Sequence, residues 1–289
     1  MSVVQALGFV GLGIMGQAMA KNLYGAEPLT VYNRTRERTR ALQEMGARVV
    51  DTPRQAASAS QICFIMVSND EALRQVTLGE DGVLAGMSPG SIVVDHSTVS
   101  PAITKELGGL AQTRGVFWCD APVTGGDVGA QNATLTVMAG GEAVAIERIG
   151  PYVARMSQRL VHVGALGQGQ TMKLVSNLIG GLNLMAAAEG LSLGLAAGLS
   201  VEALEAVLPN GTAASFELQK ILDRHRSQDF APGFSVENRY KDLDLAVELA
   251  RQLGQMVPLG ETALDVFGRH RARGYSKLDE SSYLKGWER

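Results

Sequence analysis

The chain has 289 residues, 46% of them hydrophobic, and a formal net charge of −3. That length accommodates one large or two ordinary domains, and the apolar content suits a globular core. No basic cluster stands out, so a nucleic-acid partner is not expected, because phosphate binding needs concentrated Lys and Arg.

The N-terminus has no charged region and no signal-type cleavage pattern, so its apolar start reads as a first strand and the expected location is cytoplasmic. That run, residues 3–10, leads into Gly11-Leu12-Gly13-Ile14-Met15-Gly16 and a helix-like stretch at 17–23. Gly11, Gly13 and Gly16 form a G-x-G-x-x-G in the strand–turn–helix context of a dinucleotide fingerprint. Gly11 permits the tight turn, Gly13 lets backbone approach a pyrophosphate, and Gly16 lets helix and strand pack closely. The pyrophosphate then sits on free N–H groups at a helix start. In a chain with 34 glycines an ordinary glycine-rich turn is the plain alternative.

Further apolar runs read as strands at 6–10, 29–33, 62–66, 92–95, 117–121, 137–139 and 160–163. Helix-like stretches lie between them at 36–45, 53–59, 70–78 and 101–114. Repeated alternation predicts an α/β fold with a mostly parallel, doubly wound sheet. Cys63 and Cys119 fall in the apolar runs and read as buried, reduced thiols without a disulfide framework. After about Gly164 only helical candidates remain: 168–198, 201–209, 215–226, 236–253 and 258–273. Pro209, Asn210-Gly211, Pro232-Gly233 and Pro258 punctuate them. We therefore divide the chain into a Rossmann-type cofactor domain, 1–164, and an all-helical domain, 165–289. The stretch 178–199 is apolar enough to need a membrane check, but Asn183, Glu189 and Ser192 favour a long buried helix of a soluble protein. Residues 281–289 read as a partly ordered tail.

The end of the second strand chooses the cofactor. An acidic residue there binds the ribose 2′-hydroxyl of NAD. Here the strand ends in Asn33-Arg34-Thr35, with no carboxylate to repel a 2′-phosphate. Arg34 can form charge-assisted hydrogen bonds to it, and Asn33 and Thr35 can donate others. The expected cofactor is NADP, with NAD second; an ordinary turn with a solvated Arg is the plain alternative.

Further segments carry candidate chemistry. Val67-Ser68-Asn69 follows a strand, where α/β ligands collect, though Ser68 or Asn69 is equally a helix cap. In Asp95-His96-Ser97-Thr98, Ser97 and Thr98 can hydrogen-bond a nicotinamide or a substrate. His96 is a lone histidine and a weak candidate base. Ser100 ahead of Pro101 reads as a helix cap. Thr124-Gly125-Gly126 offers a hydroxyl and flexible backbone N–H groups, an anion cradle for a small carboxylate or simply a tight turn. Lys173 and Asn177 are four apart on a helix and share a face among apolar neighbours. Sheltered lysines are costly, and low-dielectric surroundings bring their pKa towards acid–base use; a snorkelling surface lysine is the alternative. Phe234 and Lys241-Asp242-Leu243 flank and open a later amphipathic helix, and Phe234 can wall a substrate pocket. No residues are assigned to a metal.

Taken in order, these motifs resemble the β-hydroxyacid dehydrogenase family, the group of 3-hydroxyisobutyrate dehydrogenases and tartronate-, glyoxylate- and succinic-semialdehyde reductases. The resemblance covers almost the full length. It rests on the glycine loop with Met19-Ala20-Lys21-Asn22-Leu23, on Asp95-His96-Ser97-Thr98 and on Asp120-Ala121-Pro122-Val123-Thr124-Gly125-Gly126. Gly129-Ala130 with Thr134-Leu135-Thr136, the Lys173 and Asn177 pair, and Lys241-Asp242-Leu243 complete it. It implies Lys173 as the catalytic lysine and Asn177 as the group holding substrate beside it. It also implies turn 124–126 as the carboxylate site, Thr98, Lys241 and Asp242 among the cofactor contacts, and Phe234 with Asp242 lining the closed site. The family forms dimers or tetramers through its helical domain, so a homodimer or homotetramer is expected. Three features depart from the family pattern: Thr124 stands where serine is common, Ala133 precedes Thr134 where glycine is usual, and His96 replaces a small or apolar residue.

The expected activity is NADPH-dependent reduction of a small aldehyde acid, such as glyoxylate or succinic semialdehyde, with Lys173 as general acid. Oxidation of 3-hydroxyisobutyrate or another β-hydroxy acid is the alternative. A silent NADP-binding module is the reading from another class. Imine reduction is disfavoured by Lys173, and 6-phosphogluconate oxidation by the short helical half.

Overall fold

The computed structural model describes residues 5–231 and 233–286. Val3 and Val4 of the expected first strand, Pro232 of the Pro232-Gly233 break and the last three residues of the expected tail lie outside the described residues. The chain divides into two compact units, residues 1–173 and 174–289.

The first unit is an α/β sheet of nine strands. Strands β1 (Leu7–Val10), β2 (Leu29–Tyr32), β3 (Arg48–Val49), β4 (Ile62–Ile65), β5 (Ile92–Asp95) and β6 (Phe117–Asp120) are parallel in the order 3-2-1-4-5-6. This is the dinucleotide-binding order, with its switch point between β1 and β4. The central strands are continuous apolar runs because both faces are covered. Alternation assigns each residue to one face: Leu7, Phe9, Ile62, Phe64, Ile92 and Val94 enter one core, whereas Val10, Cys63, Ile65 and Val93 enter the other. Beyond β6 the sheet turns antiparallel. Strand β8 (Leu135–Gly140) pairs antiparallel with β6 and with β7 (Val123–Thr124), while β9 (Ser157–Gly164) runs parallel to β8.

Helices α1 (Ile14–Leu23), α2 (Arg40–Glu44), α3 (Pro53–Ser58), α4 (Asp70–Thr77), α5 (Val83–Gly86), α6 (Pro101–Gln112), α7 (Gly126–Gln131) and α8 (Ala143–Val153) flank the sheet. Local chemistry starts several of them. Thr52 caps α3 through Gln55 N at 3.2 Å, Asn69 caps α4 through Ala72 N at 2.8 Å, and Ser100 caps α6 through Ile103 N at 3.2 Å. Helices α5, α7 and α8 and the two-residue strands β3 and β7 are additions to the sequence expectation.

The second unit is helical: most of α9 (Gln168–Ala196), then α10 (Val201–Val207), α11 (Phe216–Ser227), α12 (Val236–Gln252) and α13 (Pro258–His270). Helix α9 is long and apolar enough to cross a membrane by length and composition alone, and 33% of its most apolar stretch is buried. The described start of the expected loose tail is instead buried. Glu280–Gly286 forms a 3-10 segment in which Ser281, Ser282 and Tyr283 are buried. The Tyr283 ring stacks on Phe267 at 5.7 Å, and burying an aromatic ring outweighs the polar look of the segment.

Candidate active site

The glycine loop joins β1 to α1. Gly11 has φ +96°, and a Cβ there would strike the Met66 carbonyl oxygen. A Cβ on Gly16 would strike the Gly11 carbonyl oxygen, so helix and loop touch backbone to backbone. Gly13 differs: its Cβ position is open, with Arg38 Nη1 nearest at 3.9 Å. No side chain caps α1 at Gly13, which leaves its first N–H groups facing outward. These features fit a dinucleotide pyrophosphate approaching Gly13.

Asn33 anchors this loop instead of standing free at the strand end. Its Oδ1 accepts from Leu12 N at 2.8 Å, and its Nδ2 donates to Thr35 O at 2.7 Å. Arg34 and Thr35 are exposed beside it. Arg38, which the sequence did not single out, adds a cation on the same side of the loop. At the far end of α1, Asn22 Nδ2 donates to Ala130 O at 2.7 Å, tying α1 to the helix that follows turn 124–126.

The ends of β4, β5 and β6 carry a buried polar network. Ser97 is fully buried; its Oγ accepts from Val67 N at 2.9 Å and its N donates to Asp95 Oδ1 at 3.0 Å. Ser68 and Asn69 are exposed, with Asn69 engaged as the α4 cap. Asp70 accepts from Ser100 N at 2.9 Å and from Ser100 Oγ at 2.5 Å. Asp120, at the end of β6, takes Gly167 N and Gln170 N at 2.8 Å each and so holds the start of α9. Gln170 was not predicted. Nothing in its local pattern distinguishes it from a surface glutamine, yet it is fully buried.

Burial pushes the Asp95 carboxyl up to about 7, with Asp120 and Asp70 adding to the effect. Burial also raises Asp120, against the pull of the Gly167 and Gln170 N–H groups. His96 goes the other way. Burial lowers it to about 4, its Nδ1 donates to Ala121 O at 2.6 Å, and its ring stacks on Phe64. It is a neutral, enclosed ring and a poor base. Cys63 and Cys119 are buried free thiols held near 12 by burial, hence unreactive.

Thr98 is half-buried between two buried neighbours. Thr124 is half-buried, whereas Gly125 and Gly126 are exposed with φ +127° and +67°, a backbone that only glycine adopts without strain. Lys173 closes the first unit on α9, only 7% exposed.

In the second unit Asn177, one turn along α9, is 8% exposed. Its Nδ2 donates to Asp242 Oδ2 at 2.5 Å, and Lys241 Nζ lies 2.9 Å from Asp242 Oδ1. The sequence placed these residues together by resemblance alone. It missed Arg239, which is 4% exposed. Arg239 Nη1 donates to Asn177 O at 2.8 Å, its guanidinium lies 5.0 Å from the centre of the half-buried Phe234 ring, and its Nε donates to Glu280. The Phe234 backbone is fixed in turn, with its N donating to Asp279 Oδ2 at 3.0 Å. The clue to Arg239 was its place on the buried stripe of α12, with Val236, Leu243, Ala246 and Val247.

The fold and glycine loop define a nicotinamide-dinucleotide oxidoreductase, and comparison with known proteins narrows the class. Residues 6–164 match the family model of the NAD binding domain of 6-phosphogluconate dehydrogenase. Residues 167–287 match that of the NAD-binding region of NADP-dependent 3-hydroxyisobutyrate dehydrogenase. The chain is 34% identical over 285 residues to 2-(hydroxymethyl)glutarate dehydrogenase of Eubacterium barkeri, covering 98% of this chain and 94% of that protein. It is 35% identical to the 2-hydroxy-3-oxopropionate reductase of Escherichia coli (strain K12), covering 98% and 97%. The structure of Mycobacterium tuberculosis 3-hydroxyisobutyrate dehydrogenase with L-serine superposes with a TM-score of 0.91 at 28% identity, covering 99% and 100%. The chain belongs to the 3-hydroxyisobutyrate-dehydrogenase-like, or β-hydroxyacid dehydrogenase, family of NAD(P)-dependent oxidoreductases.

Proposed function

We propose that this enzyme interconverts a small β-hydroxy acid and its aldehyde acid, with Lys173 as general acid and base. The observation that carries this reading is a lysine 7% exposed, one helical turn from a buried asparagine. A sheltered lysine suits proton transfer at a carbonyl oxygen, because low-dielectric surroundings bring its pKa towards acid–base use. The bound nicotinamide supplies or accepts the hydride. In the reducing direction Lys173, as ammonium, gives a proton to the substrate oxygen as charge builds there. In the oxidising direction neutral Lys173 removes the hydroxyl proton. Asn177, with its amide held by Asp242, orients the substrate. Turn 124–126 receives the carboxylate, and Phe234 limits the pocket. Gly11–Gly16, Val67, Ser68, Asn69, Thr98, Lys241 and Asp242 make up the cofactor side, with Ser97 placing its loop. On this reading residues 1–164 are the cofactor domain, and 165–289 the substrate and oligomerisation domain. The exposed Leu193, Phe216, Met256 and Leu259 of the helical unit favour a homodimer or homotetramer. A cytoplasmic location accords with this chemistry.

The relatives named above favour the dehydrogenase reading over a dedicated glyoxylate or succinic semialdehyde reductase. Both 2-(hydroxymethyl)glutarate and 2-hydroxy-3-oxopropionate carry the reacting carbon β to a carboxylate. The reductase reading keeps support from the end of β2. Arg34 is exposed there and the strand end Asn33-Arg34-Thr35 contains no Asp or Glu, which favours NADP.

Initial rates test all of this together. The substrates are 3-hydroxyisobutyrate, 2-(hydroxymethyl)glutarate, tartronate semialdehyde, glyoxylate and succinic semialdehyde, each with both cofactors. Turnover is expected on β-hydroxy acids or their aldehydes, faster with NADP(H). Lys173→Ala should lose at least ~100-fold in kcat, the low end for general acid–base catalysis. Unimpaired turnover in that variant would remove Lys173 from the mechanism.

A further inference from the structure

We propose that Gln170 is a positioning residue that clamps the loop carrying Thr98 to the first turn of α9, fixing the cofactor-side loop at a set distance from Lys173. This rests on the role given to Lys173 above. Both halves of the Gln170 amide are engaged: Nε2 donates to Ser97 O at 2.8 Å, and Oε1 accepts from Val99 N at 3.2 Å. Those groups lie on either side of Thr98. Ser97 and Val99 are fully buried while Thr98 is half-buried, so the clamp grips the loop at its buried ends and leaves Thr98 presented between them.

The other end of the clamp is equally fixed. Gln170 N and Gly167 N bind opposite oxygens of Asp120, which sits beside Asp95 in the β5–β6 register. A Cβ on Gly169 would lie 2.5 Å from Met138 O and 2.6 Å from Asp120 O, so only glycine lets α9 seat this closely. Lys173 follows Gln170 by three residues, on the same side of the helix. A shift of the first turn therefore moves clamp and lysine together.

The side-chain chemistry is specific. A primary amide donates from one atom and accepts at the other, as Ser97 O and Val99 N require. Leucine has the bulk and neither bond. An ionised glutamate accepts but cannot donate, whereas a protonated one does both. A buried bonding pair left half-made is costly, so the loop would move to relieve it.

The test compares the wild-type enzyme with Q170L, Q170E and K173A, using the best substrate of the panel above. It reads amide hydrogen exchange at Val99, the dissociation constant of NADPH from fluorescence, and kcat against pH. In Q170L the Val99 amide should exchange at least 10-fold faster. Its kcat should fall about 10- to 100-fold while NADPH affinity stays within about 3-fold. Asp120 lies against this position, taking Gln170 N, and Lys173 follows on the next turn, so a buried glutamate here gains its proton as pH falls. The ratio of Q170E to wild-type kcat should therefore rise at least ~5-fold from pH 8 to pH 6, a rescue that lost packing alone does not produce. Unchanged Val99 exchange in Q170L would overturn the clamp, as would wild-type kcat in Q170L. For Q170E, a pH-independent ratio would do the same. If K173A is inactive while Q170L is unimpaired, only the clamp is rejected. If K173A keeps full turnover, the role of Lys173 is what fails, and Val99 exchange still reports on the clamp.

Discussion

The two units bury polar groups by opposite means. In the first, the carboxylates of Asp70, Asp95 and Asp120 are met by backbone N–H groups and a hydroxyl at strand and helix ends. In the second, Glu217, Asp279 and Glu280 are met by Lys220, Arg224 and Arg239. The difference shows in their protonation. Asp95 is held near 7 because dipoles only partly replace lost water. Asp279 suffers the same burial, but Lys220, the Ser281 hydroxyl and the Phe234 N–H outweigh it and leave its pKa below the ordinary carboxylate range. In the network of dipoles burial pushes Asp95 and Asp120 towards the neutral form. In the network of ion pairs the cations facing each acid decide its charge, holding Asp279 ionised while Glu217 is raised.

The largest effect should come from removing one cation. Arg239→Met takes away the donor to Asn177 O and leaves Glu280 buried beside Glu217. Breaking a buried pair from one side costs about 3–5 kcal/mol. Thermal unfolding should therefore shift down by several degrees. Removing the acidic partner as well, in Arg239→Met with Glu280→Leu, should recover part of the loss. If both variants melt like the wild type, the network is not an ion-pair core.

A smaller, pH-dependent effect is expected at Glu217. Burial, reinforced by nearby Glu280, pushes its pKa up to about 7 despite Arg239 and Lys220. A raised folded-state pKa means that the neutral acid is preferred in the native state. Its contribution is most favourable below the unfolded value and is lost as pH rises through about 7. Glu217→Gln should then match the wild type near pH 5 and exceed it at pH 8, by on the order of 1–3 kcal/mol. Asp279 has the opposite sign: its stabilisation is present above its unfolded pKa and is lost in strong acid as pH falls through the depressed folded value. Chemical denaturation at pH 5 and pH 8 checks the Glu217 sign, and equal differences at both would refute it.

The same contrast explains what the sequence reveals. Apolar runs at β1, β4, β5 and β6 are visible because a strand covered on both faces must be continuously hydrophobic. Helix α8 is hidden by Gly150 and Pro151 near its end, and β3 and β7 are too short for any period. The spacing of Lys173 and Asn177 on one face is legible because it is local. Their supports are not. Gln170, Asp120, Arg239 and Glu280 act through partners up to 73 residues away. A buried polar side chain looks in sequence like an exposed one, so the segment at 281–289 reads as a tail although Ser281, Ser282 and Tyr283 are in the core. Arg239 alone left a trace, as a charge on an otherwise apolar helical stripe.

The smallest effect concerns a place where sequence pattern and backbone disagree. The resemblance expects glycine before Thr134, and the chain has Ala133, whose φ is +57°. An L-residue in this left-handed region costs roughly 1–2 kcal/mol because its Cβ crowds the following carbonyl. Glycine removes that cost but adds unfolded-state entropy of about 0.5–1 kcal/mol. Ala133→Gly should therefore stabilise the first unit by about 0.5–1 kcal/mol, with kcat unchanged. Strain of this kind is kept at some sites because it aims a functional group. Ala133 is followed by Thr134, whose N–H bonds Gly129 O at 2.9 Å in the helix behind turn 124–126. If Ala133→Gly gains stability but raises KM for the carboxylate substrate, the strain serves that turn. If both stability and kinetics hold at wild-type values, the dipole-held unit absorbs a strained residue without cost, and the contrast with the ion-paired unit sharpens.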